Sequence, residues 1–310
     1  MATYTPHTKE ELQQLIADNT VHLGDIDTSN IIDMSGLFGG FENPNGEWKT
    51  ICRTDFSGIE KWNTSRVQDM SCLFDEHCKN FNEPIGCWDV SNVTNMSYMF
   101  SSCYAFNQPL EKWDVSNVTD MGGMFSNCHS FNQPLEKWDV SVVEIMYDMF
   151  CRAYQFNQPL NDWDVSNVTN MTSMFLEAYQ FNQPLNNWNV ECVQDMTSMF
   201  CRASSFNQPL DQWNTKRLKE CNDMFDDAWR FNQPLSMWNV SKVKEMRYMF
   251  QNAVDFKQDL DAWDVSKVKE MDDMFEGSGM ESQKPKWFGE NKGSMDDEDE
   301  ENDWDEDDDE

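Results

Sequence analysis

The sequence predicts a repeat solenoid, in which short units of nearly equal sequence stack on one another and share a single core. Three observations lead to this prediction: a period of 25 residues, the lack of insertions between units, and a change of hydrophobic spacing inside each unit. Periods of roughly 20 to 50 residues are typical of repeat architectures, because one such unit cannot bury its apolar face alone.

The period is the first observation. Eight regular units fill residues 81–280 without one inserted or deleted residue, and each opens with phenylalanine. These residues are Phe81, Phe106, Phe131, Phe156, Phe181, Phe206, Phe231 and Phe256. An irregular unit with single-residue slips precedes them from Phe56, and a half unit begins at Asp25. Loops of globular domains tolerate insertions, so a constant length indicates coils that pack against both neighbours.

The first half of each unit has the spacing of a short strand. In the unit from Phe131, Trp138 and Val140 are two residues apart, so an extended segment places both on one face. Asp139 between them points the other way. Because asparagine replaces aspartate at this position in other units, we interpret it as an acceptor for local backbone N–H groups, with a calcium ladder as the weaker alternative.

The second half has helical spacing. The spacing i, i+3, i+6 and i+7 of Val143, Met146, Met149 and Phe150 predicts a short helix or 3₁₀ turn. Ser141 and its equivalents are positioned to cap the start of that turn. Asn132 and Pro134 then turn the chain back, because proline fixes φ and donates no hydrogen bond.

Stacking converts each repeated position into a ladder of equal side chains along the solenoid. We predict a buried tryptophan ladder and an asparagine ladder that hydrogen-bonds from coil to coil at the corner. Their central members are Trp113, Trp138, Trp163 and Trp188, and Asn107, Asn132 and Asn157. The richness in methionine and aromatic residues is therefore interpreted as core rather than as a cofactor site.

The repeated string "FNQPLxxWDVSNVTxMxxMF" resembles the BspA-type leucine-rich repeat proteins, which occur on bacterial and mycoplasma surfaces and in giant DNA viruses of the marseillevirus type. The resemblance covers about residues 25–280. It implies a right-handed, leucine-rich-repeat-like solenoid of short parallel strands and helical turns, with a surface or interaction role. The resemblance identifies no catalytic residue, because the residues that repeat in this family are structural.

The beginning of the chain predicts a cap over the open end of the solenoid. Thr8 with Glu11 forms a capping-box pattern for a helix that carries Leu12 and Ile16. The segment "TKEELQQLIADNTVHLGDIDTSNIIDMSGLF" also resembles the N-terminal cap of BspA-type proteins. We therefore divide the chain into a cap at 1–24, a solenoid at 25–280 and an acidic, disordered tail at 281–310.

The first residues contain neither a basic start nor an apolar run, so no signal peptide is expected. No segment reaches the length of a transmembrane span, and no membrane insertion is expected. This composition predicts an intracellular location, in the cytoplasm or nucleus of a host cell, or a place in a virion.

Ten cysteines raise the alternative of a disulfide scaffold. Cys78, Cys103 and Cys128 share a position that continues as alanine in the next five units, which indicates a small buried slot. No C-x-x-C motif occurs, which argues against zinc. We predict reduced thiols.

The sequence contains no recognisable catalytic motif. Four histidines have no serine or cysteine partner at a recognisable spacing, and no glycine-rich phosphate loop or H-E-x-x-H motif occurs. The sequence therefore predicts no enzyme activity, no catalytic residue, no metal site and no cofactor.

The net charge of −33 points to basic partners. Residues 296–310 hold thirteen acids and no base, so the rest of the chain keeps a formal charge of −20. Such runs are typical of disordered tails, and they repel nucleic acid rather than bind it.

One group of basic residues is an exception to the acidic composition of the chain. The positions flanking the ladder valine are neutral in several early units, as at 117 and 119 or 167 and 169, and basic in the last three. We name this set the basic stripe: Arg217, Lys219, Lys242, Lys244, Lys267 and Lys269. The stripe is interpreted either as a solvated face or as a docking site for the chain's own tail or an acidic partner.

Two functional hypotheses follow. The first is a non-enzymatic structural or interaction protein, in a virion or at a host interface of a large DNA virus, with an unidentified protein partner. The alternative is an acidic regulatory module, in which the tail binds basic partners such as histones by mimicking nucleic acid.

Overall fold

The computed structural model describes residues 3–42, 46–74 and 76–289, and regular secondary structure is a small part of them. One α-helix, α1, spans Lys9–Ala17. An antiparallel hairpin pairs β1, Gly40–Glu42, with β2, Trp48–Thr50. Four single 3₁₀ turns complete these elements: Leu23–Asp25, Ile59–Lys61, Glu76–Cys78 and Lys286–Gly289.

Helix α1 begins where the sequence predicts. The Thr8 hydroxyl accepts a hydrogen bond from the backbone N–H of Glu11 at 3.2 Å, and Leu12 and Ile16 are fully buried. The reciprocal half of the capping box is displaced by one residue, because the Glu11 carboxylate accepts from the N–H of His7 at 2.7 Å.

The repeats stack in sequence order. Single parallel bridges join equivalent residues of neighbouring units, and we call each stacked unit a coil, with coil one starting at Phe81 and coil eight at Phe256. The bridges run through Asp33, Asp69, Asn95, Asp120, Ile145, Asn170, Asp195, Glu220, Glu245 and Glu270. The prediction of a repeat protein is therefore confirmed.

Inside each coil the backbone differs from the expected strand and helical turn. Met146, Asp148 and Phe150 each donate a backbone N–H to a carbonyl oxygen of the next coil, at 3.2, 2.8 and 2.9 Å. Asp148 and Arg152 have φ angles of 54° and 55°, in the left-handed region, which turns the chain out of any helix. The hydrophobic spacing does not distinguish these tight turns from a helix, because both return the chain to the same face.

The capping role predicted for serine also falls elsewhere. The Asp139 Oδ1 atom accepts from the N–H of Ser141 at 3.1 Å, so the aspartate fixes the turn and the serine supplies the N–H. The same bond recurs at Asp89, Asp114, Asp164, Asn189, Asn239 and Asp264. The interpretation of this position as an acceptor for local backbone is confirmed.

The tryptophan ladder is buried and is also hydrogen-bonded, which the sequence does not reveal. Trp138, Trp163 and Trp188 are 4, 3 and 2 % exposed. Each indole N–H donates to the carbonyl oxygen of the ladder leucine one coil earlier, at 3.1, 3.0 and 2.8 Å. Equivalent positions in successive coils therefore make equivalent contacts.

The asparagine ladder forms at the corner as predicted. The side-chain oxygen of Asn107 accepts from the backbone N–H of Asn132 at 3.0 Å and from the Gln133 amide at 2.9 Å. Asn132 accepts in the same way from Asn157 at 3.0 Å. Each asparagine thus satisfies a backbone donor that the corner leaves without a partner.

The stack extends beyond the predicted boundary at 280. Trp287 lies against Trp263 with ring centroids 6.3 Å apart, and its indole N–H donates to the carbonyl of Leu260 at 2.8 Å. The acidic segment 296–310 lies outside the described residues. No helix in the described part of the chain is both long enough and apolar enough to cross a membrane.

Candidate interaction surfaces

The basic stripe lies on coils six, seven and eight, and all six of its side chains are exposed. The backbone N–H of Lys244 donates to the carbonyl of Lys219 at 2.9 Å, and that of Lys269 to Lys244 at 2.8 Å. These bonds fix one row of the stripe at the spacing of the coils. The structure therefore brings the predicted interaction residues together on one surface.

A row of carboxylates runs beside the stripe. Glu220, Glu245 and Glu270 follow the three lysines directly in the chain and form the parallel bridges. Burial raises the pKa of the Glu220 carboxyl, and the neighbouring Asp195 and Glu245 raise it further, whereas the lysines of the stripe oppose this shift. The surface is therefore two adjacent rows of opposite charge rather than a purely positive stripe.

A second surface was not identified from the sequence. Four aromatic residues occupy one position in coils one to four and stack on each other, and we call them the aromatic column: Tyr104, His129, Tyr154 and Tyr179. Successive ring centroids are 4.3, 4.4 and 5.0 Å apart, with planes within 16° of parallel. The ammonium group of Lys79 lies 5.6 Å from the Tyr104 ring centre, at the first end of the column. Such a contact is a cation–π interaction.

Two residues before this position, the coils present charges of alternating sign. We call this row the ion ladder: Arg152, Glu177, Arg202 and Asp227. The Glu177 carboxylate accepts from Arg152 and from Arg202, both at 3.2 Å, and Arg202 also reaches Asp227 at 3.4 Å. Both arginines are about half exposed, so each pair contributes less than about 1 kcal/mol. The ladder neutralises charge along one side of the aromatic column.

The column is interrupted at coil five. Its next position is Ser204, and the position after that is Trp229, whose side chain is 55 % exposed. Tyr179, the last ring before the interruption, is 38 % exposed, and burial together with Glu177 raises the pKa of its hydroxyl. The run of stacked rings therefore ends at Tyr179, and an exposed aromatic residue returns at the same position two coils later.

A comparison of equivalent positions every 25 residues would have revealed this surface. Read at that interval from residue 104, the chain gives Tyr, His, Tyr, Tyr, Ser, Trp and Val. The position is not identical from unit to unit, and a search for repeated residues passes over it. Stacking depends on planarity, which tyrosine, histidine and tryptophan share.

Histidine, cysteine and carboxylate side chains do not gather into a metal site in the part of the chain that the structure describes, where no group of three or more could hold an ion. Burial raises the pKa of the Cys128 thiol, which lies in the small buried slot and donates to the carbonyl of Phe100 at 3.0 Å. This cysteine packs as a compact apolar residue.

Comparison with known proteins gives one family. A family model described as "Mycoplasma protein of unknown function, DUF285" matches four overlapping segments, 50–150, 110–210, 134–231 and 185–288. Together these segments cover well over half of the chain and coincide with the stacked coils. The comparison with curated proteins gives no match, and the comparison with solved structures gives none either.

Proposed function

Because the chain belongs to the family described as Mycoplasma protein of unknown function, DUF285, whose description assigns no activity, we propose a function from its surfaces. The protein is a non-enzymatic interaction protein, whose rigid stack of coils presents fixed rows of side chains to a protein partner. The observation that carries this proposal is the pairing of the basic stripe with the row of glutamates beside it.

Paired rows of opposite charge favour a specific partner. The lysines at 219, 244 and 269 are held by the backbone at one-coil spacing, and the glutamates at 220, 245 and 270 share that spacing. A partner with a complementary pair of rows gains from both, whereas a uniformly charged polymer is repelled by one of them. Selectivity for proteins over nucleic acid follows from this arrangement.

Charge reversal tests the proposal. A variant with Lys219→Glu, Lys244→Glu and Lys269→Glu changes the stripe, and a control with Lys61→Glu, Lys112→Glu and Lys137→Glu makes the same charge change at exposed lysines elsewhere. Cross-linking in a lysate of the source cells, followed by mass spectrometry, is expected to show partners lost by the first variant and kept by the control. Equal sets of partners for both variants would contradict the proposal.

The finer architecture is part of the same proposal. We infer a right-handed, leucine-rich-repeat-like solenoid closed at its N-terminal end by α1, because the resemblance of the repeat motif implies that hand and because α1 packs Leu12 and Ile16 inward. An experimental structure that shows a left-handed path would overturn it.

The biological setting that we propose rests on the resemblance to BspA-type repeats. We propose a virion or host-interaction component of a large DNA virus, located inside the host cell or in the particle. Quantitative proteomics of purified particles and of infected cells tests this. Detection only in uninfected cells of a bacterium would exclude it.

The net charge of −33 favours one alternative, an acidic module that binds basic proteins such as histones. In that case residues 296–310 carry the affinity and the coils serve as a support. Deletion of these fifteen residues is then expected to abolish histone binding, whereas the charge-reversed stripe variant would bind histones at least as well as the native chain.

A further inference from the structure

The interruption of the aromatic column at Ser204 has the form of a binding site for one flat side chain. Tyr179 on coil four and Trp229 on coil six occupy the equivalent positions on either side of Ser204, both side chains are exposed, and serine contributes no ring between them. We propose that this space binds an aromatic side chain of a partner protein, which completes the column.

The spacing suits one ring. Hydrogen-bonded strands lie about 4.8 Å apart, so two positions that are two coils apart are separated by about 9.5 Å. His129 gives the internal example, since it lies between Tyr104 and Tyr154 at 4.3 and 4.4 Å. Offset-stacked aromatic rings are stable in this range of distances.

The two flanking residues are held by equivalent hydrogen bonds. The Tyr179 hydroxyl lies 3.3 Å from Glu177 Oε2, and the Trp229 indole nitrogen lies 3.4 Å from Asp227 Oδ1. Both carboxylates belong to the ion ladder and are also bound by Arg202, which comes from the coil between them. Pre-organised rings lose less conformational entropy when a ligand enters.

Charge selects a neutral ring. All four carboxylate oxygens of Glu177 and Asp227 already accept hydrogen bonds. Arg202, which comes from the same coil as Ser204, places its positive charge beside this position and disfavours an incoming cation. Phosphate groups are disfavoured by the net charge of −33, which argues against a nucleobase. The chain's own Trp304 lies between acidic residues outside the described part of the chain, and the same charge disfavours it.

This inference rests on the proposed function, because an aromatic anchor serves a protein-binding surface. Aromatic residues are frequent hot spots of protein interfaces. Its tests below use the purified chain and a small probe, so failure of the charge-reversal experiment leaves their outcome unaffected.

The first test places an aromatic side chain of the protein itself at position 204. Ser204→Tyr adds a ring to the column and is expected to raise the melting temperature by about 2 to 4 °C, since two new stacked contacts form. Ser205→Tyr is the matched control, because it adds the same ring one residue outside the column, and no increase is expected. An unchanged or lower melting temperature for Ser204→Tyr would show that the space does not fit a ring.

The second test measures binding directly. The full chain is labelled with 5-fluorotryptophan, the Trp229 resonance is assigned with Trp229→Phe, and N-acetyltryptophanamide is added as a neutral aromatic probe. The probe is expected to shift the Trp229 resonance while the Trp48 resonance, from a side chain that is 70 % exposed on the β1–β2 hairpin, stays in place. Ser204→Tyr is expected to bind about tenfold more weakly, and Ser205→Tyr is expected to bind like the native chain.

Two results would overturn the proposal. Equal shifts of the Trp229 and Trp48 resonances, or equal affinity of the native chain and Ser204→Tyr, would show non-specific contact only. Tighter probe binding by Trp304→Ala than by the native chain would show that the acidic segment of the same chain occupies the space. N-acetylleucinamide serves as the non-aromatic control, and equal binding of this compound would exclude recognition by stacking.

Discussion

The units before Phe81 and the eight coils after it use the same core residues but differ in how regularly those residues stack. Phe131 and Phe156 are 6.0 Å apart with planes 8° from parallel, whereas Phe56 and Phe81 are 5.1 Å apart at 85°. At this phenylalanine position, near-parallel stacking therefore begins with the first regular unit.

The tryptophans behave differently at the same junction. Trp62 and Trp88 are 26 residues apart instead of 25, yet their rings lie 6.4 Å apart and 2° from parallel. The asparagine ladder, in contrast, begins only at Asn82, which accepts from the N–H of Asn107 at 2.9 Å. The comparison teaches that the core tolerates a slipped residue, and that the hydrogen-bonded corner imposes the constant length.

The largest loss of stability is expected from a substitution in the middle of the regular region. Trp163→Ala is expected to lower the free energy of unfolding by about 3 to 5 kcal/mol, because the cavity weakens contacts with both neighbouring coils. Trp287→Ala, at the partly exposed end of the stack, is expected to cost clearly less. Urea denaturation of both variants measures the difference, and equal losses would contradict the description of Trp163 as an interior member of a stack.

Two glycines sharpen the comparison between the regions. Gly123 in coil two has a φ of 61°, and an added Cβ atom would overlap the Tyr98 ring from the coil before it. Gly36 in the irregular region has a φ of 55°, with no atom within 4 Å of an added Cβ. Gly123→Ala is expected to cost about 2 to 4 kcal/mol from backbone strain and overlap together, and Gly36→Ala about 1 kcal/mol from strain alone. Thermal unfolding of both variants tests the expected order.

The corner can be tested with neighbouring residues. Asn132→Ala leaves the backbone N–H of Asn157 without its acceptor and is expected to cost about 1 to 3 kcal/mol. Gln133→Ala removes only a side-chain donor to Asn107 and is expected to cost less than about 1 kcal/mol. If both changes cost the same, the ladder would not be what fixes the corner.

A pH dependence is expected at coil six. Burial, with a contribution from Asp227, raises the pKa of the Asp226 carboxyl to about 6, above its value of about 3.9 in an unfolded chain. The folded state then binds more protons than the unfolded state between these values. The free energy of unfolding should therefore fall as pH rises from about 4 to about 6, by about 1 kcal/mol after allowance for partial exposure.

Asp226→Asn should remove this pH dependence and stabilise the protein at pH 7. Asp139→Asn is the control, since hydrogen bonds from Ser141 lower the pKa of Asp139 and asparagine occupies the equivalent position in coil five. The control is expected to leave the slope between pH 4 and 6 unchanged. Denaturation curves at several pH values decide between the two results.

The smallest effect concerns thiol reactivity and does not involve stability. A thiol reagent is expected to modify ten cysteines in denaturant. In the native chain it should modify the exposed Cys52 and Cys87 long before the buried Cys128, whose raised pKa disfavours the thiolate. Fewer than ten reactive thiols in denaturant would indicate disulfides and would contradict the prediction of reduced cysteines.

The sequence was sufficient for the features that repeat without change. The 25-residue period predicted the stack, and the burial of Trp138 and the bonds between Asn132 and its neighbours followed from identical residues at equal intervals. The backbone path was harder to predict. Asp148 and Arg152 adopt left-handed φ angles, which aspartate tolerates and arginine rarely adopts, and only the glycine, asparagine and aspartate residues at equivalent places hint at this.

Surface features were predicted only in part. The six cations of the basic stripe were visible as residues, but the compensating row at Glu220 and Glu245 became evident only with the stacked coils. The aromatic column is not visible as a repeated residue in the sequence, because its members are chemically similar rather than identical. Periodicity in sequence identifies the core, and recognition surfaces occupy the positions that vary.

The direction of the hydrogen bonds on one side of each coil has a consequence at the end of the stack. Donors there always point to the following coil, as Met146, Asp148 and Phe150 do in coil three. In coil eight the equivalent N–H groups belong to residues 271, 273 and 275, and among the described residues they have no acceptor. Within the described residues these three groups keep the positions that bind the following coil elsewhere in the stack, so a further 25-residue unit would meet the same donors as every inner coil does.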